Sequence, residues 1–173
     1  DDGTHNNYDS ATKDATQCVI DAGGSGLVFD FHRGETLNSV VAGFTIRNGH
    51  SQFGGGIECF KSSPTICHNI ISDNSADYGG GIYCQEASPV IEHNKISGNT
   101  TTKNGGGIDC NNADDVIIRN NTISNNLATN YNGGGIYCSE SSGIVIKANI
   151  IHGNEVQTRS GGGIYCYNSS VNI

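Results

Sequence analysis

The chain has 173 residues, with 25 Gly, 2 Pro, no Met and no Trp, and a formal net charge of −8. That charge argues against a nucleic-acid backbone as partner and leaves no basic surface for anionic lipid. No apolar run approaches the ~18 residues that span a bilayer, so membrane insertion is not expected, and the glycines follow no Gly-X-Y register.

In chain order, residues 1–17 are polar and read as an N-terminal loop or cap. Cys18 to Asp21 is a short strand, stopped by Gly23-Gly24-Ser25-Gly26. Leu27 to Phe31 is a second, and Val40 to Ile46 carries a third that ends at Arg47-Asn48-Gly49. From there the sequence repeats. Gly-Gly-Gly-Ile-x-Cys occurs five times, starting at Gly54, Gly79, Gly105, Gly133 and Gly161, with spacings of 25, 26, 28 and 28 residues. A fixed period of this size marks a solenoid, whose units bury their core only against their neighbours.

Each repeat has one grammar. In the second, Ile82-Tyr83-Cys84 is a strand, Val90-Ile91-Glu92-His93 another, Asn94 bends the chain, Lys95-Ile96-Ser97 is a third strand, and Asn99 leads into a loop. Three strands of three to five residues separated by turn residues predict one coil of a three-sided parallel β-helix. Helical repeats are excluded, because the segments are too short and too β-branched. The reading is an all-β right-handed parallel β-helix over residues 18–173, with about five complete coils and partial ends.

Side chains alternate across a strand, so the invariant Ile and the Cys of each repeat share one face. They are placed inside. Coils stack at ~4.8 Å, so equivalent positions form ladders. Cys59, Cys84, Cys110, Cys138 and Cys166 make one interior row. Asn69, Asn94, Asn121 and Asn149 make another, and Asn74, Asn99, Asn126 and Asn154 a third. A bend exposes backbone groups, and an Asn amide can bond them as well as its neighbours above and below. Buried Cys behaves as a small hydrophobe, although the coil spacing also falls within disulfide reach. A straight line of cysteines cannot surround a tetrahedral ion, and no Cys-x-x-Cys occurs, so no metal or other cofactor is expected. Cys67 is read as outward and accessible, and His68 and His93 as a stacked pair on a side face.

The run Gly-Gly-Gly-Ile followed by Ile-x-x-Asn-x-Ile-Ser-x-Asn resembles the right-handed parallel β-helix repeat family of pectate-lyase-like fold. The junction Asn74-Ser75-Ala76 to Gly79-Gly80-Gly81-Ile82 is similar to repeats of polymorphic outer-membrane adhesins. The resemblance implies the fold and an extracellular or cell-surface location. It does not fix an activity, because the same coil serves lyases, hydrolases, epimerases, adhesins and inert stalks. The lyase strand Trp-Ile-Asp-His is missing (the nearest run, Ile91-Glu92-His93, has Glu in place of Asp), as are the basic Arg-x-Pro-x-x-Arg segment and the polygalacturonase acids. Asp114-Asp115 reads as a solvated turn.

In this fold the first-strand sheet commonly floors a sugar groove. Its outward row here is Glu58, Tyr83, Asp109, Tyr137 and Tyr165. Tyr83, Tyr137 and Tyr165 are candidate ligand-binding residues, since a flat ring with a polar tip suits a pyranose. Glu58 and Asp109 lie two coils apart, roughly 10 Å, near the separation of an inverting carboxylate pair. They are the candidate catalytic residues if the chain is an enzyme. The bland account is that Tyr favours strands and acids keep a sheet soluble. The chain opens on a lone third strand and stops at Ile173, before the third strand of the fifth repeat. Neither a signal peptide nor an initiator Met is read in it, so residue 1 is not expected to be the start of translation. This reads as an excerpt of a longer solenoid, or as a subunit completed end to end by another copy of itself. The leading expectation is a non-catalytic solenoid for adhesion, carbohydrate contact or assembly. The alternatives are a polysaccharide lyase, hydrolase or epimerase, and a head-to-tail fibre subunit.

Overall fold

The computed structural model describes residues 15–173, so most of the polar segment at 1–17 lies outside the described residues. What it shows is a parallel β-solenoid of about six turns, built from three six-stranded sheets and one five-stranded sheet. One coil runs Ile82–Gln85, Val90–Glu92, Lys95–Ser97, Thr100–Thr101, and the next begins at Ile108–Asn111. Every strand pairs in parallel with its equivalent one coil away, and Cys84 stands opposite both Cys59 and Cys110. The sheet of the Ile-x-Cys strands is called the cysteine sheet below.

The coil has four strands rather than three. The fourth sheet contains His50–Phe53, Ser75–Tyr78, Thr100–Thr101, Leu127–Ala128 and Glu155–Val156. The sequence predicts a loop after the second Asn of each repeat, where these strands lie. Three of them are only two residues long, too short for any alternation to appear in the sequence. The stretch Val40 to Ile46 likewise divides into Val40–Ala42 and Thr45–Arg47, broken at Gly43 with φ 78°.

Four left-handed residues turn each of the first two repeats, and five turn the third and the fourth. In the second repeat they are Glu86 (φ 50°), His93 (55°), Gly98 (69°) and Gly105 (66°). A non-glycine residue there costs about 1–2 kcal/mol, and the ladders that flank the corners offset it.

The core is a column of isoleucines. Ile57, Ile82, Ile108 and Ile136 from the cysteine sheet are fully buried, together with Ile66, Ile91 and Ile118 from the second sheet and Ile46, Ile71, Ile96 and Ile123 from the third. Cys59, Cys84, Cys110 and Cys138 fill the space beside them, also with no exposure, and none of the seven cysteines forms a disulfide.

Both Asn ladders form as expected. The Asn94 Oδ1 accepts the backbone N–H of Asn69 at 2.9 Å and its side-chain N–H at 3.1 Å, while Asn94 Nδ2 donates to Ile66 O at 2.9 Å and to Asn121 Oδ1 at 3.1 Å. Asn74, Asn99, Asn126 and Asn154 repeat this geometry at the next corner. At the first described coil Phe44 and Gly49 take the ladder positions, each donating its backbone N–H to the Asn that follows it.

The triple glycine has a steric reason at each place. At 105–107, Gly105 is left-handed, and a Cβ there would lie 2.6 Å from the Asp109 Cβ and from Ile108 O. A Cβ on Gly106 would lie 2.4 Å from Gly134 O, and one on Gly107 2.6 Å from Gly135 O and 3.1 Å from Asn126 Nδ2. The segment therefore folds tightly back over its own strand and against the coil above.

Candidate functional site

That tight return decides the fate of the outward row on the cysteine sheet. In register the row runs Asp30, Glu58, Tyr83, Asp109, Tyr137, Tyr165. The residues stand on the outward side of the sheet, as expected, but three consecutive ones are covered. Tyr83 is 3% exposed, Tyr137 8% and Asp109 0%. The glycine returns roof them: Gly105 lies on Asp109 and Gly133 on Tyr137. Aromatic side chains complete the cover. Phe53 packs on Tyr83 with centroids 5.0 Å apart, and Tyr78 lies 5.6 Å from Phe53 and 6.3 Å from Tyr83.

Within the row, Tyr137 and Tyr165 stack at 5.7 Å with planes 5° apart. Asp109 interrupts the tyrosines, and neither of its carboxylate oxygens has a hydrogen-bond partner. Burial without a donor holds its carboxyl well above the usual carboxylate range. Burial also pushes the Tyr83 and Tyr137 phenols up. Glu58 is half-buried, and its carboxyl is raised by burial and then by the charge of Asp30 in register beside it. The structure thus keeps Glu58 and Asp109 two strands apart but puts Tyr83 between them and gives Asp109 no accessible surface. The nearer acidic neighbour of Glu58 is Asp30, whose Oδ1 meets His32 Nδ1 at 2.7 Å. Reading the repeats alone missed this, because Asp30 and His32 precede the first Gly-Gly-Gly.

Cys67 is not accessible as expected. It is 5% exposed, in register between Ala42 and Glu92. A small side chain beside a long one is shaded by it. Glu92 is itself held by Arg119 Nε at 2.6 Å. His68 and His93 do stack, with centroids 4.9 Å apart and planes 4° apart. Asp114 accepts the backbone N–H and the hydroxyl of Ser142, both at 2.7 Å, and these bonds lower its carboxyl pKa. Among the described residues no group of three His, Cys, Asp or Glu is placed to hold a metal ion.

An open concavity lies to the side of the row, on the connections that run from the fourth sheet into the cysteine sheet. It is a groove of about 520 Å³ lined by Thr102, Lys103, Asn130, Tyr131, Thr158 and Arg159. Three successive coils contribute a pair of residues each. The Lys103 ammonium lies 4.5 Å from the Tyr78 ring centroid, and the Arg159 guanidinium 4.6 Å from that of Tyr131. By contrast Arg47, Lys61 and Arg119 are paired with carboxylates. No single repeat carries all of this chemistry, so only the stacking of coils brings it together.

A chain of parallel strands stacked on Asn ladders belongs to the β-solenoids. A family profile described as right-handed beta helix region matches residues 7–173, and the chain belongs to that family. No curated protein and no solved structure matches it.

Proposed function

We propose that this chain is a non-catalytic extracellular or cell-surface solenoid that contacts carbohydrate through the groove of Lys103, Tyr131 and Arg159. The observation that carries the reading is the mixture of groups there. Tyr131 is 39% exposed and offers an aromatic ring, Thr102, Asn130 and Thr158 offer hydroxyl and amide groups that match sugar hydroxyls, and two cations stand in a chain of net charge −8. The groove crosses coils stacked at about 4.8 Å, so an extended polymer can meet one pair of residues per coil. The rigid column presents these side chains in fixed register, which lowers the ordering cost of binding.

Titration calorimetry against uronate-rich, sulfated and neutral polysaccharides tests the reading. At least one class should bind the native chain, and Tyr131→Ala should weaken that binding about tenfold or more, in line with a central aromatic contact. Binding to none of the three classes, or equal binding by Tyr131→Ala, would overturn it.

A further inference from the structure

Lys103, Tyr131 and Arg159 occupy one position of the repeat. Each stands two residues before the first glycine of its return, at Gly105, Gly133 and Gly161. Successive coils are ~4.8 Å apart, so the three run along the column in the order cation, ring, cation, with about 10 Å between the two cations. One coil earlier the same position is Asp77, whose Oδ1 accepts the Thr102 hydroxyl at 2.6 Å. Asp77 bounds the row at that end. The Tyr78 hydroxyl and, more weakly, the Asp77 charge favour the charged form of Lys103. The residues that line the groove itself include no carboxylate.

Both cations are held by aromatic faces rather than by acids, Lys103 over Tyr78 and Arg159 over Tyr131. A ring face positions a cation without neutralising it, so the ammonium and the guanidinium edge keep N–H donors for an anion. Tyr131, between them, carries no charge and remains exposed. Its ring suits the apolar face of an uncharged sugar, and the negative face of its quadrupole disfavours a carboxylate. Three consecutive coils thus match the pattern acidic, uncharged, acidic, and one pyranose residue of an extended chain is close in length to one coil step. Resting on the carbohydrate reading of the groove, we propose that its ligand is an anionic polysaccharide in which acidic and uncharged residues alternate. A neutral polymer leaves both cations without an anion. A polymer charged at every residue sets its middle carboxylate against the Tyr131 ring, and each charge that meets neither cation is repelled by a chain of net charge −8.

Titration calorimetry of the full chain with three fragments of equal length tests this: hyaluronan, in which an acidic and an uncharged residue alternate, polygalacturonate, acidic at every residue, and an uncharged cello-oligosaccharide. At low salt hyaluronan should bind about tenfold or more tightly than either of the others, and Lys103→Gln and Arg159→Gln should each weaken it about tenfold, less so as salt is raised. Equal or tighter binding of polygalacturonate or of the uncharged fragment, or unchanged hyaluronan affinity in either variant, would overturn the proposal. The ranking of the three fragments by the native chain decides even where a variant does not fold. A different winner whose binding still needs Tyr131 leaves the carbohydrate reading standing and removes only the alternation. No binding of hyaluronan overturns the alternation as well, and the carbohydrate reading falls with it only when the uronate-rich, sulfated and neutral polymers are inert too.

Discussion

Replacing Asn99 by Ala probes the ladder that holds the coils together. Asn99 is fully buried and makes four side-chain bonds. Its Oδ1 accepts the Asn74 backbone N–H at 3.1 Å and the Asn74 Nδ2 at 3.0 Å, and its Nδ2 donates to Ile71 O at 2.9 Å and to Asn126 Oδ1 at 3.0 Å. The substitution leaves the Asn74 N–H and the Ile71 carbonyl without these partners. The Asn74 side chain keeps its bond to Ile46 O, and Asn126 Oδ1 keeps the backbone N–H of residue 99. Two buried groups left unpaired at about 1–3 kcal/mol each give a loss of roughly 2–6 kcal/mol. The assay is equilibrium urea unfolding, read as a fall in midpoint at unchanged slope. Asn172→Ala, on an exposed strand position, serves as the reference and should change stability by less than about 0.5 kcal/mol. If Asn99→Ala loses no more than that reference, the ladder does not stabilise the fold, and the repeated Asn needs another explanation.

Further outcomes follow from the same geometry. Gly80→Ala would put a Cβ 2.6 Å from the backbone oxygens of Gly106 and Thr100 and should cost at least about 3 kcal/mol, whereas Gly24→Ala meets nothing within 4 Å and should cost only the about 1–2 kcal/mol of its left-handed backbone; thermal melts compare the two. Iodoacetamide on the native chain should alkylate the exposed Cys18 and Cys166 and spare the five buried cysteines until denaturant is added. Because burial pushes the Cys166 thiol up to about 11, it should react more slowly than Cys18, as peptide mapping over time would show. Arg119→Ala removes a partly exposed ion pair with Glu92 and should cost less than about 1 kcal/mol in the same urea assay, despite the 2.6 Å contact.

The sequence was most legible where stacking enforces identity. A position inside a solenoid meets its own copies above and below, so an Ile, Cys or Asn that fits once fits in every coil, and the repeat printed the core and both ladders directly. Two things could not be read that way. The fourth strand is short and largely polar, and it forms because the second Asn corner, not a hydrophobic pattern, delivers the chain parallel to its neighbour. The burial of Asp109, Tyr83 and Tyr137 depends on a glycine segment folding back over the strand that follows it. Alternation assigns a side chain to the outward face of a sheet, but it cannot say whether something else covers that face.

The spacing of the repeats explains why the groove lies where it does. From the first Asn ladder to the second the step is always five residues: 69 to 74, 94 to 99, 121 to 126 and 149 to 154. Both ends of that segment are pinned inside the column, so its length cannot change without breaking a ladder. From the second ladder to the glycine return the connection grows instead. It contains residues 75–78, 100–104, 127–132 and 155–160, which is four, five, six and six residues in successive coils. The added length projects from the column, and Lys103, Tyr131 and Arg159 all lie in it. A solenoid tolerates insertion only where the chain is not clamped on both sides. Side chains that vary from coil to coil therefore gather there, and the groove forms in the same place. If that reasoning holds, shortening 127–132 to the four-residue length of 75–78 should leave the Asn ladders and the melting transition nearly intact while removing glycan binding. Loss of the fold in that variant would show that the longer connections are structural.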